Sequence, residues 1–454
     1  MPDRLMASRR AILAAAALFT LAAPAAAQQR TTVEFWHGLT QPLGGMLEQI
    51  AADFNASQSQ YQVNASFRGS YPETMAAAIA AFRAGTAPHI VQMFEVGTGT
   101  MMTAGRAIKP LHELLAETGV VIDFADYLPA VRGYYSLADG RMMSMPFNSS
   151  TAIMFYNKDH FRRAGLDPEK PPVTWADMRE ATTKLRAAGL GCPFTSAWPT
   201  WTQIEQLSAI HNIPLATQDN GFGGLNAELR INNPTQVRHL DALMAMAREN
   251  QFRWGGRDGA GDALFANGEC SIIHASSGAR ARFLREVPGG AANVGAAMLP
   301  YYADVQGAPF NSIIGGASFW VLNRGPNAQR SAEEFRAAAE FFRFISSAQV
   351  ALKWHTETGF LPVRQAAFIM ARDAGFYTQN PGADIPIQQL LRGGGEMTGN
   401  TRGIRLGGFV EIRVIIQEEM ERALQGNQTA QQAMDNAVNR GNQVLRNFER
   451  ANRP

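Results

Sequence analysis

Short runs of alternating or continuous apolar residues are interleaved with stretches of helical spacing through the first hundred residues. TTVEFW (31–36) predicts a strand, and roughly 42–55 carries the apolar spacing of a helix. YQVNASF (61–67) is the next strand. Ser70-Tyr71-Pro72-Glu73 then predicts a helix start, with Ser70 as N-cap, Glu73 as its capping-box partner and Pro72 in the first turn. That helix runs through MAAAIAAFRA and stops at Gly85. HIVQMF (89–94) is a third strand, and strand–helix–strand spacing of this kind predicts βαβ units and a mainly parallel sheet.

The pattern then restarts. PFNSSTAIMFYN (146–157) holds a strand, and Thr174-x-x-Asp177 opens a helix ending near Gly189. CPFTSA, a helix from about Pro234 to Asn250, and CSIIHAS (270–276) follow. VGAAMLP (294–300) and ASFWVLN (317–323) read as strands, and Ser331 with Glu334 forms a further capping box. Roughly 411–449 reads as helical. The restart predicts two α/β lobes and does not require either to be contiguous in sequence.

The N-terminus departs from this pattern. Residues 1–27 carry a basic start (Arg4, Arg9, Arg10), about a dozen apolar residues and an Ala25-x-Ala27 end. This reads as an export signal cut after Ala27. Its apolar stretch falls short of the roughly 20 residues of a membrane span. Ser8-Arg9-Arg10-Ala11-Ile12-Leu13 fits a loose twin-arginine pattern and an ordinary Sec signal equally. The signal carries a net charge equal to the whole-chain +2, so the mature chain is formally neutral. A neutral chain has no long-range pull toward nucleic acid or anionic lipid. With 46% hydrophobic and 18% charged residues, the 454-residue chain is long enough for two large cores.

Cys192 and Cys270 each begin a strand-like run in an exported chain. A disulfide is favoured over two buried free thiols, although spacing alone does not bring them together. Two distant cysteines without a CxxC, and eight scattered histidines without HExxH, give no metal-binding pattern. There is also no GxSxG elbow and no Walker-type loop. Neither a metal nor a cofactor is expected, and an enzyme is disfavoured. The Gly-rich stretches GGRDGAGD and GGGE read as surface turns.

Residues suited to small-ligand recognition gather at strand ends instead. Trp36 and His37 close the first strand, Tyr71 starts the helix after the second, and Glu95 directly follows the third. Alone, each reads more plainly as packing or as a solvated loop acid. Together they occupy equivalent carboxyl ends of strands, where open α/β sheets bind ligands. Asn148-Ser149-Ser150, Ser276-Ser277-Gly278 and Gly315-Gly316 supply small hydroxyls and exposed amides suited to anionic oxygen, or simply turns and caps. Trp198 and Trp201 form a pocket wall or pack a loop.

VEFWHGLT, FRAGTAPHIVQMFEVGTGTMM, PFNSSTAIMFYNKDHFRRAGLDP, ASSG, NSIIGGASFWV, TGFLPVRQAAF and RLGGFVEIRVIIQEE together resemble the periplasmic sn-glycerol-3-phosphate-binding proteins of ABC importers, the UgpB family. The likeness runs from about residue 31 to the C-terminus. It implies a two-lobed α/β substrate-binding fold with ligand trapped between the lobes. The expected division is 28–145 plus about 300–355 for one lobe and 146–299 plus about 356–454 for the other. It further implies capture of glycerol-3-phosphate or glycerophosphodiesters such as glycerophosphocholine in the periplasm. Delivery is to an inner-membrane permease driven by a cytoplasmic ATPase, with no catalysis in this subunit. A monomer without nucleic-acid partners is expected.

The matching ligand positions are Tyr71, Glu95, Ser150, Ser276, Gly316 and Arg413, with an aromatic contact near Trp198 or Trp201. Where the family has a tyrosine, this chain has Phe360, so one hydroxyl donor is missing. Arg413 offers donors for phosphate, and Glu95 is expected to accept from glycerol hydroxyls at the opposite end of the cleft. Arg405 competes with Arg413 for the phosphate role. The alternative is a carbohydrate-binding protein of the same fold.

Overall fold

The computed structural model describes residues 30–453, so the export signal and its cleavage point lie outside the described residues. Ten strands occur in chain order among the described residues. They are β1 (Thr31–His37), β2 (Tyr61–Phe67), β3 (Ile90–Phe94), β4 (Ile108–Lys109) and β5 (Met145–Asn157), followed by β6 (Cys192–Ser196), β7 (Phe252–Trp254), β8 (Cys270–Ser276), β9 (Val294–Ala297) and β10 (Ile314–Leu322). The sheet order is β2-β1-β3-β10-β5-β8-β6-β7, with β4 on β10 and β9 on β5.

The two ends of this order carry the parallel pairs that βαβ spacing predicts. β1 runs parallel to β2 and β3, and β6 runs parallel to β7 and β8. The middle is antiparallel, because β10 runs against both β3 and β5, and β5 runs against β8. Every residue of β5 is buried. A strand covered on both faces shows no alternation, so its direction was not written in its pattern. β5 joins the two halves: Met145–Thr151 pair with β10, and Ala152–Asn157 pair with β8 or β9.

Capping sets several of the helix starts. The Ser70 amide donates to Glu73 Oε2 at 2.7 Å at the head of the helix Tyr71–Arg83. The Thr174 and Ser331 amides do the same with Asp177 (2.8 Å) and Glu334 (2.7 Å). Each box satisfies amides that have no intrahelical acceptor.

One core lies on the β1 half and includes Phe35, Phe319 and Phe341; Phe360 and Leu361 pack into it. Met154, Phe194 and Ile272 belong to a core on the β8 half. A further core joins Val91, Met93 and Trp320 of the central strands to Phe409 and Ile412 of the helix Phe409–Leu424 and to Leu445 of the helix Ala430–Asn452. Cys192 and Cys270 are register partners at the first residues of parallel β6 and β8, and they form a disulfide across a sequence separation of 78.

Candidate functional site

A cavity of about 540 Å³ opens where the carboxyl ends of β1, β3, β6 and β8 meet the middle of β5 and the start of β10. Tyr71, Glu95, Ser150, Ser276, Gly316 and Arg413 all line it. So do Trp198, Trp201 and Phe360. The sheet topology thus gathers into one cleft nine residues spread between positions 71 and 413.

Their fixation can be followed bond by bond. Tyr71 sits at the first helical position after the Ser70 cap, with its ring stacked on Phe94 at 5.5 Å and 21°. Its hydroxyl accepts from Asn148 Nδ2 at 2.9 Å. Burial pushes the Tyr71 phenol above its ordinary pKa, with Glu95 adding to the effect, so the oxygen keeps a proton to donate. Ser150 is buried in β5, and its hydroxyl makes no hydrogen bond among the described residues. Ser276 ends β8, and its Oγ accepts from the Gly278 amide at 3.2 Å.

Gly316 lies at φ +88°, and a Cβ there would fall 1.9 Å from the Asn148 carbonyl oxygen. Only glycine permits that backbone next to the bulged pairing of β10 with β5. Gly315 is similarly constrained, since its Cβ would meet the Trp201 ring at 2.3 Å. Phe360 stacks on Trp354 (5.6 Å, 18°), and the position a Gly278 Cβ would occupy lies 2.7 Å from its Cζ.

Arg413 is 7% exposed on the helix Phe409–Leu424. Its Nε donates to Glu205 Oε1 at 2.6 Å, and Nη2 donates to Glu205 Oε2 at 2.8 Å and to Glu95 Oε1 at 2.6 Å. Nη1 has no protein partner among the described residues. Burial works against the Arg413 charge, but Glu205 and Glu95 outweigh it and hold the pKa above the usual guanidinium range. Burial pushes the Glu95 carboxyl up, and Arg413 opposes that shift.

This corrects the expectation that Glu95 and Arg413 stand at opposite ends of the cleft. They are hydrogen-bonded to one another, because the end of β3 packs directly against the helix Phe409–Leu424. The donors Arg413 can offer a phosphate are also fewer than its residue type allows. Glu205 already holds the Nε–Nη2 edge, which leaves Nη1 as the free donor.

Other candidates lie elsewhere. His37 is fully buried beneath the β1 strand, with Nε2 3.2 Å from Glu48 Oε1, and Trp36 carries the Arg68 guanidinium 4.4 Å above its ring. Ser149 is buried, and its carbonyl accepts from the Leu361 amide at 2.8 Å. None of these three lines the cavity. Arg405 donates to the Gly133 carbonyl at 3.1 Å and lies 4.1 Å over the Phe222 ring, which removes it from the phosphate role.

Several lining residues were not singled out from sequence. Asp258, Gly259 and Asp262 come from the GGRDGAGD stretch, which is a packed wall and not a free turn. A Cβ on Gly261 would fall 2.4 Å from the Ser196 carbonyl, and the Trp198 amide donates to the Asp258 carbonyl at 2.6 Å. Burial pushes Asp262 up to about 7, with Arg282 pulling the other way. Glycines interleaved with aspartates after a strand were the available signal. Glu205 gave none, because it lies in the π-helical turn Thr200–Glu205 among residues that are buried throughout.

A family model for bacterial extracellular solute-binding proteins matches residues 49–383. The chain is 43% identical over 439 residues to the sn-glycerol-3-phosphate-binding periplasmic protein UgpB of Escherichia coli UTI89, covering 96% of this chain and 98% of that protein. It is 43% identical over 424 residues to the Salmonella typhimurium protein of the same name, covering 93% of this chain and 94% of that protein. In structure it is similar to UgpB from Mycobacterium tuberculosis in complex with glycerophosphocholine, with a TM-score of 0.73, 20% identity, and 92% and 99% of the two chains covered. A substrate-binding protein of Listeria monocytogenes in complex with cycloalternan gives a TM-score of 0.74 at 16% identity, covering 92% and 99%.

Proposed function

The chain belongs to the bacterial extracellular solute-binding proteins, and within them to the sn-glycerol-3-phosphate-binding periplasmic group, and on that premise we propose how its cleft holds ligand. It is the solute-binding subunit of an ABC importer for glycerol-3-phosphate or glycerophosphodiesters. Its partners are the importer's membrane permease subunits, and its place of work is the periplasm. We assign the lobes as 28–145 with about 300–355 and 146–299 with about 356–454, and the export cut after Ala27. The subunit acts as a monomer and returns its ligand chemically unchanged.

The observation that carries the assignment of roles is Arg413, held by two carboxylates with Nη1 left over at the cavity wall. An arginine donor with the Ser150 hydroxyl, the Ser276 hydroxyl and the Gly316 amide around one cavity suits a phosphate group. Glu95 has a second oxygen, Oε2, with which to accept from glycerol hydroxyls. Tyr71, Trp198 and Trp201 supply apolar walls for the carbon skeleton. Phe360 contributes a ring where the family has a phenol, and that face suits carbon or a quaternary ammonium better than phosphate oxygen.

Calorimetric titration with glycerol-3-phosphate, glycerophosphocholine, maltose and inorganic phosphate tests this reading. Binding of either glycerol phosphate with no response to maltose is expected, and Arg413→Ala should abolish it. Maltose binding that survives Arg413→Ala would instead establish the carbohydrate alternative.

A further inference from the structure

Glu205 stands outside the cavity wall and is 2% exposed, yet it makes two of the three hydrogen bonds that hold Arg413. With Nε and one Nη2 hydrogen on Glu205 and the other Nη2 hydrogen on Glu95, the guanidinium cannot rotate in its plane. Two carboxyl groups therefore share one guanidinium at the point where a phosphate would dock.

The other arginines do not relieve this excess of acid: Arg282 lines the cavity, but its Nε donates to Glu286 Oε2 at 2.7 Å, and Glu286 lines the cavity too. Arg405 is turned to the Gly133 and Tyr134 carbonyls, and Arg257 pairs with Glu421 at 2.7 Å. The remaining titratable groups around the triad are Asp258 and the phenols of Tyr71, Tyr134 and Tyr135. The Tyr134 hydroxyl lies 2.9 Å from the Glu95 carbonyl oxygen, and Asp258 feels Arg413 from the facing loop. Nearby Asp258 adds acid, and the phenols are kept protonated.

We infer that Glu205 is a positioning residue that presents Nη1 of Arg413 to the ligand and, by leaving acid in excess over base, makes capture of a doubly charged phosphate take up a proton from solvent. The inference rests on the glycerol-phosphate reading of this cleft. Two acceptors are at hand. A phosphate monoester has its second pKa at about 6, so the proton can be regained by the ligand near neutral pH. Glu95 is the other, since burial has already moved its carboxyl toward the neutral form. A phosphodiester carries one charge and no such second proton, so any proton taken up with it goes to Glu95.

The test is calorimetry of the mature full chain at pH 7.5, in two buffers of different ionisation enthalpy, with glycerol-3-phosphate and with glycerophosphocholine. Wild-type protein should take up close to one proton per glycerol-3-phosphate bound. Glu205→Gln keeps the shape and one acceptor oxygen for Arg413 but removes the charge, and its proton uptake should be clearly smaller. Uptake with the monoester alone assigns the proton to the ligand, and uptake with both assigns it to Glu95. Either result supports the inference. Binding without proton uptake overturns it, and equal uptake in wild type and Glu205→Gln overturns the part given to Glu205. The wild-type proton count stands by itself if the variant does not fold. Failure of both ligands to bind would reject the glycerol-phosphate reading as a whole.

Discussion

Asn148 Nδ2 donates to the Tyr71 hydroxyl at 2.9 Å, and this bond is the last link of a buried chain. Asn148 Oδ1 accepts from Gln92 Nε2 at 2.9 Å, and Gln92 Oε1 accepts from the Gly38 amide at 2.9 Å. The chain crosses from the end of β1 through β3 and β5 to the cavity. It fixes the direction of the phenol, because an oxygen already accepting from Asn148 must point its own proton elsewhere. Tyr71 lines the cavity, so that proton is free to be donated there.

Tyr71→Phe should weaken ligand binding about fivefold to tenfold while changing stability by under about 1 kcal/mol, the size of one hydrogen bond. Asn148→Ala should weaken binding similarly and also cost about 1–3 kcal/mol of stability, because it leaves the buried Gln92 amide unpaired. Calorimetry and urea unfolding on both variants separate the two effects. Equal stability of the two variants would show that the Gln92–Asn148 link carries no weight.

Gly316→Ala places a methyl group into the Asn148 carbonyl at a backbone angle, φ +88°, that side chains rarely adopt. The strands β5 and β10 must part locally, so a loss of more than about 2 kcal/mol of stability is expected together with loss of binding. Wild-type thermal stability in this variant would show that the two strands are not held in this register in solution.

The Cys192–Cys270 disulfide closes a loop with a sequence separation of 78. Reduction, or Cys192→Ser with Cys270→Ser, should lower stability by about 2–5 kcal/mol. Ligand affinity should stay within twofold, since Ser276 lies at the far end of β8 from Cys270. The check is unfolding and titration with and without reductant; a large loss of affinity in the reduced protein would tie the disulfide to the site.

Burial holds His274 and His355 neutral, with pKa values pushed down to about 3 and about 4. The unfolded chain binds these protons near pH 6.5, so it takes up more protons than the folded chain as the solution is acidified. The stabilising contribution is complete above pH 6.5 and falls as the pH drops toward those lowered values. At pH 5 each imidazole costs about 2 kcal/mol relative to pH 7. His355 sits between the Phe360 carbonyl (2.6 Å) and the Tyr377 hydroxyl (2.9 Å), and His355→Gln should reduce the acid sensitivity of the urea midpoint. An unchanged slope would assign acid sensitivity to other groups.

Much of the cavity lining was legible because its residues sit at punctuation in the sequence. Tyr71 follows a capping box, Glu95 ends a five-residue buried strand, and Gly316 opens a strand. The family resemblance added Arg413, which is one arginine among several in its segment. Trp36 and His37 share the strand-end position and still miss the cleft, because the turn Gly38–Leu43 enters it in their place. Glu205 and the wall formed by Asp258 and Asp262 were not legible, since one lies in an unbroken buried run and the others look like an ordinary glycine turn.

By itself the sequence determined the repeated strand–helix order, the capped helix starts, the pairing-competent cysteines and the small hydroxyl, glycine and aromatic residues that line the cavity. Periodicity and capping are local, and they act within a few residues of the chain. The tertiary structure alone decided that the central strands run antiparallel and that β5 joins both halves. It also decided that Arg413 reaches Glu95 across a sequence separation of 318 while Glu205 holds its other edge. Charges so far apart along the chain have no local signature. Their pairing exists only where the folded sheet and the C-terminal helix bring them within hydrogen-bond distance.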